Sequence, residues 1–399
     1  MTDTSKDHTQ PDVPAVDVGE LLPRLDRGEK VLLLDVRNDE EFADWKIEAR
    51  APVETVHVPY FDFIEDTEGS IGRVPRDREV VVLCAQGGSS EMVAGMLTEA
   101  GIPSQNVKGG MIAYGVYLQP VRVPLAAAEA ERFEIWQVNR RGKACLAYVV
   151  LSGGEAVVVD PSRHVEWYEG FVAERGARVV QVLDTHVHAD HVSGGPALAR
   201  RLGVPYFVAA GEGFELRQPV TPLADGAKLR LGGEKGVDLE VRIIATPGHT
   251  PGSTSFLVDG RYLLTGDTLF VASVGRPDLG GHVVEWGRAL FHTLHTRLAA
   301  LSDGTVILPA HYGGIQEIAE NGVVWGRLGD LRKGVPELQI RTPEVFTEAV
   351  RGAVKDPPKA YAEIIKYNLG AQSASEEKIS EWELGKNQCA AAAKKSAGG

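Results

Sequence analysis

Apolar residues in this chain gather in short runs of strand length, parted by stretches with helical spacing. Residues 31–36 (VLLLDV) and 80–83 (VVVL) are apolar almost throughout, as strands buried on both faces are. Residues 18–27 and 90–100 space their apolar positions as helices do, and Gly101 and Pro103 close the second. Strands separated by helices predict βαβ units and a parallel sheet over residues 15–117, the size of one small α/β domain. From residue 133 the pattern changes. Residues 145–151 and 156–160 are two apolar strands joined by Gly153-Gly154, a hairpin signal. Strands and helices then alternate to about residue 314, and residues 335–369 read as a polar helical cap. The second unit therefore spans 132–370. Between the units, residues 118–131 are rich in Pro, Val and Ala and read as a linker. Residues 1–14 read as a disordered lead and residues 371–399 as a fraying tail.

Composition narrows the function classes. The 42 Lys and Arg residues against 55 Asp and Glu leave a net charge of −13, which argues against nucleic acid or an anionic membrane as the partner. With 43% hydrophobic and 24% charged residues, the chain can build ordinary globular cores. No apolar run approaches the roughly 18 residues that span a bilayer, and the polar N-terminus has no apolar signal core. Cys84, Cys145 and Cys389 are odd in number and scattered, so no disulfide framework is expected. These features predict a cytoplasmic protein with reduced thiols and leave homo-oligomerisation open.

The strongest chemical signal is Thr185-His186-Val187-His188-Ala189-Asp190-His191, directly after the apolar run at 177–183. Imidazoles and a carboxylate this close together on a loop behind a strand are the makings of a metal site, since a rigid sheet holds such loops in place. Further donors follow other strands: His249 in Thr246-Pro247-Gly248-His249-Thr250-Pro251-Gly252, Asp267 in Thr265-Gly266-Asp267-Thr268, and His311 in Leu308-Pro309-Ala310-His311. Taken alone, each is weak, because an aspartate after a strand is usually a helix cap.

Together these motifs resemble the metallo-β-lactamase superfamily over about residues 133–314. The resemblance implies an αββα sandwich with metals at one sheet edge. His186, His188 and His249 would form one site and Asp190, His191 and His311 a second, with Asp267 between them. Such donors serve two chemistries. A binuclear zinc site lowers the pKa of a bridging water and hydrolyses esters or lactams. A mononuclear ferrous site uses two His and one carboxylate and leaves positions for substrate and oxygen.

Gly275-Arg276-Pro277-Asp278 is similar to the Gly-Arg-x-Asp stretch of persulfide dioxygenases within that superfamily. That similarity implies ferrous iron, Fe(2+), one per chain, on His186, His249 and Asp267. His188, Asp190, His191 and His311 would then position water or substrate. Arg276 would meet an anionic part of a thiol substrate or form a surface ion pair. Hydroxyacylglutathione hydrolases share almost every motif but usually carry Gly-Arg-x-Phe; they imply two Zn(2+) instead.

In the first unit, Cys84-Ala85-Gln86-Gly87-Gly88-Ser89-Ser90 follows an apolar strand and leads into a helix. Backbone N–H groups turned toward the sulfur there favour a thiolate or a persulfide. With Leu34-Asp35-Val36-Arg37 and Val107-Lys108-Gly109-Gly110, this segment resembles the rhodanese domains, which carry sulfane sulfur on a cysteine. The common loop reads Cys-x-x-Gly-x-Arg-Ser, and here Ser89 takes the arginine position, which weakens recognition of an anion such as thiosulfate. A structural Cys84 is the alternative. Cys145 reads as a core residue.

The expected whole is an α/β protein: a rhodanese-like parallel sheet with helices, then an αββα metallo-β-lactamase sandwich. Its expected activity is oxidation of a small-molecule thiol persulfide, such as glutathione persulfide, with O2 to sulfite, coupled to sulfane-sulfur transfer through Cys84 and the loop of Gln86, Gly87, Gly88 and Ser89. The alternative is a binuclear zinc thioester hydrolase. A third reading makes the first unit a docking or regulatory module only.

Overall fold

The computed structural model describes residues 13–209, 211, 215–233, 238–278, 281–352 and 360–385. It divides into two units, Met1–Tyr117 and Leu118–Gly399.

The first unit is built on β1 (Ala15–Val16), β2 (Val31–Asp35), β3 (Glu54–His57), β4 (Glu79–Leu83) and β5 (Ser104–Val107). They pair in parallel in the order β1-β5-β4-β2-β3. The two central strands show why their sequence does not alternate. Val31, Leu33, Val81 and Leu83 pack on one face with Leu21, Leu22 and Met111, while Leu32, Leu34, Val80 and Val82 pack on the other with Phe63, Val93 and Leu97. Both faces are covered, so the positions other than Glu79 and Asp35, at the strand ends, are all apolar.

The second unit holds two sheets. One runs β6 (Gln119–Arg122), β7 (Phe133–Arg140), β8 (Cys145–Ser152), β9 (Glu155–Val159), β10 (Arg178–Leu183), β11 (Tyr206–Val208) and β12 (Thr221–Pro222), each beside the next in chain order. The other runs β13 (Lys228–Leu231), β14 (Leu239–Ala245), β15 (Thr254–Val258), β16 (Tyr262–Gly266), β17 (Val306–Pro309) and β18 (Gly326–Arg327). Tyr148, Val150 and Val159 of the first meet Ile243, Phe256 and Leu308 of the second in a shared core. Helices cover each outer face, with Tyr168, Phe171 and Leu198 on Val149 and Val158, and Leu290, Leu298 and Phe346 on Leu263 and Ile307. This is the expected αββα sandwich. The expected hairpin is β8–β9, turned by Gly153 and Gly154 at φ 56° and 83°.

Two segments differ from their compositional reading. Residues 118–131 are not a bare linker, because β6 pairs antiparallel with β7 from Gln119↔Asn139 to Arg122↔Trp136, and Ala127–Ala130 is a helical turn. The run is too short and Pro-rich to announce itself, and β7 supplies its register. The tail does not fray from residue 371 either. Glu376–Trp382 is a helix, and Glu383 behind it is buried, its carboxylate bound to the Arg140 guanidinium at 3.0 and 3.1 Å. A buried ion pair across such sequence separation leaves no local pattern. Most of the lead and the far tail, including Cys389, lie outside the described residues. Among the described residues no helix is long and apolar enough to cross a membrane.

Candidate metal centre and Cys84 loop

Strand ends at one edge of the sandwich deliver the donors. The loop after β10 carries His186, His188, Asp190 and His191; the β14–β15 turn carries His249; Asp267 follows β16 and His311 follows β17. Each of these seven residues is at most 3% exposed. Two glycines allow the close approach. Gly248 sits at φ 144°, and a Cβ there would lie 2.3 Å from Leu290 Cα. Gly266 sits at φ 54°, against the Thr185 side chain.

Three groups of donors emerge. In the first, one atom each of His186, His249 and Asp267 lie within 4.8 Å of one another. Asp267 Oδ2 is 3.5 Å from His249 Nε2 and 3.9 Å from His186 Nε2. The outer nitrogens fix both tautomers. His249 Nδ1 donates to the Arg276 carbonyl at 2.9 Å, which can only accept. Thr185 Oγ1 gives its proton to the Asp160 carboxylate at 2.9 Å and so accepts from His186 Nδ1 at 3.0 Å. Both Nε2 lone pairs are thereby turned toward Asp267, the outer-shell arrangement that metal-binding histidines use.

Electrostatics prepares the same state. Burial, with His188 next, holds His186 well below the usual imidazole range, and burial likewise lowers His249. Both are therefore neutral donors. Burial pushes the Asp267 carboxyl up, but the charge and hydrogen bond of His311 outweigh it and keep the carboxylate ionised. Asp267 Oδ2 is buried and makes no hydrogen bond. An ionised oxygen with no partner, facing two imidazole lone pairs, is strongly unfavourable unless a cation lies among them. The residues thus fit a metal ion, and two nitrogens with one carboxylate suit ferrous iron as well as zinc.

The second group is Asp190, His191 and His311, joined by Cys145. Asp190 Oδ2 lies 2.9 Å from His311 Nε2, 3.2 Å from His191 Nδ1 and 3.4 Å from Cys145 Sγ. Cys145 is therefore more than a core residue. Burial raises its thiol, but His311 and His191 outweigh burial and Asp190 and bring it down to about 7. The third group separates His188 from the first, since its Nε2 faces Asp160 at 3.1 Å and Asp184 at 4.0 Å. Asp160 and Asp184 were not picked out from the sequence, although each follows an apolar strand just as Asp267 does. Asp160 also holds φ 51°, uncommon for a residue with a side chain.

Arg276 does not lie on the surface. It is buried, and its guanidinium binds Asp278 through Nε–Oδ1 at 2.8 Å and a terminal nitrogen to Oδ2 at 2.7 Å. The Gly-Arg-Pro-Asp segment is a rigid brace whose carbonyl orients His249.

In the first unit, Cys84 directly follows β4 and the helix Gly88–Glu99 begins four residues later. The Gly87 N–H donates to Cys84 Sγ at 3.0 Å, and Ser90 Oγ lies 3.1 Å from it. Gly87 holds φ 102° to present that N–H. Gln86 and Gly88 are exposed and Ser89 half-buried, so the loop faces solvent while the sulfur sits at its base.

A family model described as the metallo-β-lactamase superfamily matches residues 140–311, and one described as the rhodanese-like domain matches residues 17–115. A hydroxyacylglutathione hydrolase of Anaeromyxobacter dehalogenans is 36% identical over 177 residues, 44% of this chain and 65% of that protein. The chain thus spans just under two thirds of that relative's length. The structure of ETHE1 from Myxococcus xanthus matches 59% of this chain and 97% of its own at a TM-score of 0.51 and 26% identity. A metallo-β-lactamase of Staphylococcus aureus shares the fold at a TM-score of 0.56 and 23% identity, over 61% of this chain and 75% of its own. The chain accordingly joins a rhodanese-like domain to a domain of the metallo-β-lactamase superfamily.

Proposed function

We propose that the second domain is a persulfide dioxygenase, with His186, His249 and Asp267 as the ligands of a single ferrous ion. The observation that supports this reading is the directed set of two Nε2 lone pairs and one orphaned carboxylate oxygen, from which His188 is turned away toward Asp160. His186, His249 and Asp267 would hold ferrous iron, which would supply the redox chemistry between a thiol persulfide and O2. In the overall reaction RSSH, O2 and H2O give RSH and sulfurous acid; the S–S bond breaks and the outer sulfur loses the electrons that oxygen gains. The chain's own part is to hold the triad rigid, exclude bulk water from it, and keep Asp267 ionised through His311. The Gly-Arg-Pro-Asp brace supports the same reading, because it fixes His249 from behind.

In the rhodanese-like domain, Cys84 would carry sulfane sulfur as a persulfide steadied by the Gly87 N–H. Attack of sulfite on that outer sulfur gives thiosulfate and returns the Cys84 thiolate. Both domains would then act on one pool of sulfur atoms.

A binuclear zinc thioester hydrolase is the second reading, favoured by Asp190, His191 and His311 lying together beyond Asp267 and by the hydrolase likeness. Metal content and oxygen uptake decide between them. Protein purified without added metal should hold one iron per chain and consume O2 with glutathione persulfide. Two zinc ions per chain and turnover of S-lactoylglutathione would overturn the dioxygenase reading.

A further inference from the structure

The loop that carries four of the candidate donors is not held by the superfamily domain alone. Asn368 is the last residue of the helix Tyr361–Asn368, well past residue 311 where the superfamily match ends. Its side chain is only 7% exposed, and all three of its hydrogen-bonding positions used in the loop are filled. Nδ2 donates to the carbonyl of His188 at 2.8 Å and to that of His191 at 2.9 Å, while Oδ1 accepts from the Ser193 N–H at 3.0 Å. The one N–H between these contacts, that of Val192, donates to Glu383 Oε1 at 2.9 Å. Beneath them Val192 packs in a small apolar cluster with Ile364 and Ile379, which lie on the two C-terminal helices.

We infer that Asn368, assisted by Glu383, is a positioning residue for the metal centre: the C-terminal extension clamps the backbone from His188 to Ser193 and so sets where the loop's donors point. A loop backbone whose carbonyls and N–H groups have no neighbouring strand must find partners elsewhere. Here a single amide satisfies three of them at once, with a donor pair and an acceptor in the order the loop requires. Outer-shell partners of this kind typically change metal affinity by about 10- to 100-fold.

This inference rests on the metal-binding reading of the site but not on the choice between iron and zinc. The test uses the full chain with Co(2+) as probe, reading affinity by chelator competition and geometry by the visible ligand-field spectrum. Thermal melting serves as the control for folding. Asn368→Ala should weaken cobalt binding by about tenfold or more and alter the spectrum. Asn368→Asp, which is the same size but sets an oxygen against the His188 and His191 carbonyls, should be worse than alanine. A packing role alone predicts the opposite order. If Asn368→Ala does not fold, Asn368→Ser, with one donor left, should bind cobalt more weakly than wild type and more tightly than the aspartate variant. Folded variants with wild-type affinity and spectrum would overturn the clamp and leave the metal site standing. Wild-type protein that binds no cobalt would overturn both.

Discussion

His311 Nδ1 lies 2.5 Å from Asp267 Oδ1, on the opposite side of the carboxylate from the oxygen that faces His186 and His249. One imidazole therefore fixes the rotamer of Asp267 and also lowers its proton affinity. It links the first donor group to the second, where the other nitrogen of His311 meets Asp190. His311→Ala should leave the metal ligands in place but loosen Asp267. Metal affinity is expected to fall by about 10- to 100-fold, as measured by chelator competition. An unchanged affinity would mean that the bond to Asp267 does not position it.

Thr185 acts one step further out. Its hydroxyl donates to Asp160 and accepts from His186 Nδ1, which leaves Nε2 as the lone pair. Thr185→Val keeps the shape and removes that acceptor, so His186 gains freedom to choose the other tautomer. Metal affinity should drop about tenfold or more while the fold persists. Titration with Zn(2+) or Fe(2+) against a chelator reads the loss.

Glu383 ties the C-terminal segment to the second domain. Burial pushes its carboxyl up, but the charge and hydrogen bonds of Arg140, with Lys143, outweigh burial and hold it well below the ordinary carboxylate range. A depressed carboxyl stabilises the fold fully above its unfolded value of about 4.3 and loses that contribution as pH falls toward its folded value. Wild-type stability to urea should therefore decline from pH 5 downward more steeply than that of Glu383→Gln. Glu383→Ala, which takes the carboxylate away from the buried Arg140 guanidinium, should lower stability at neutral pH by about 3–5 kcal/mol. Equal acid slopes in wild type and the glutamine variant would contradict this.

The Cys84 loop offers a separable test. Cys84→Ser should abolish sulfane-sulfur transfer to sulfite yet leave oxygen uptake with glutathione persulfide at its wild-type rate. Ser89→Arg restores a cation where the loop faces solvent, and should raise turnover with thiosulfate by about tenfold through one charge-assisted hydrogen bond. Thiosulfate formed from added sulfite measures the first, and thiocyanate released from thiosulfate and cyanide measures the second. Transfer that survives loss of Cys84 would assign the first domain a docking or regulatory role.

Most of this architecture was written in local pattern. The apolar runs at 31–36 and 80–83 announce strands covered on both faces, and Gly153-Gly154 announces the β8–β9 turn, because these depend only on neighbours in the chain. The donor residues also show locally, since each sits just past an apolar strand. What needed the tertiary structure was direction and partnership. Sequence spacing places His186 and His188 alike, yet one points at Asp267 and the other at Asp160. Nothing local shows that Arg276 is buried against Asp278, and Cys145, Asn368 and Glu383 reach the centre from strands and helices far away in the chain. Residue type is a property of the chain, whereas the lone pair a side chain offers is set by whatever binds its other end, and only folding brings those two ends together.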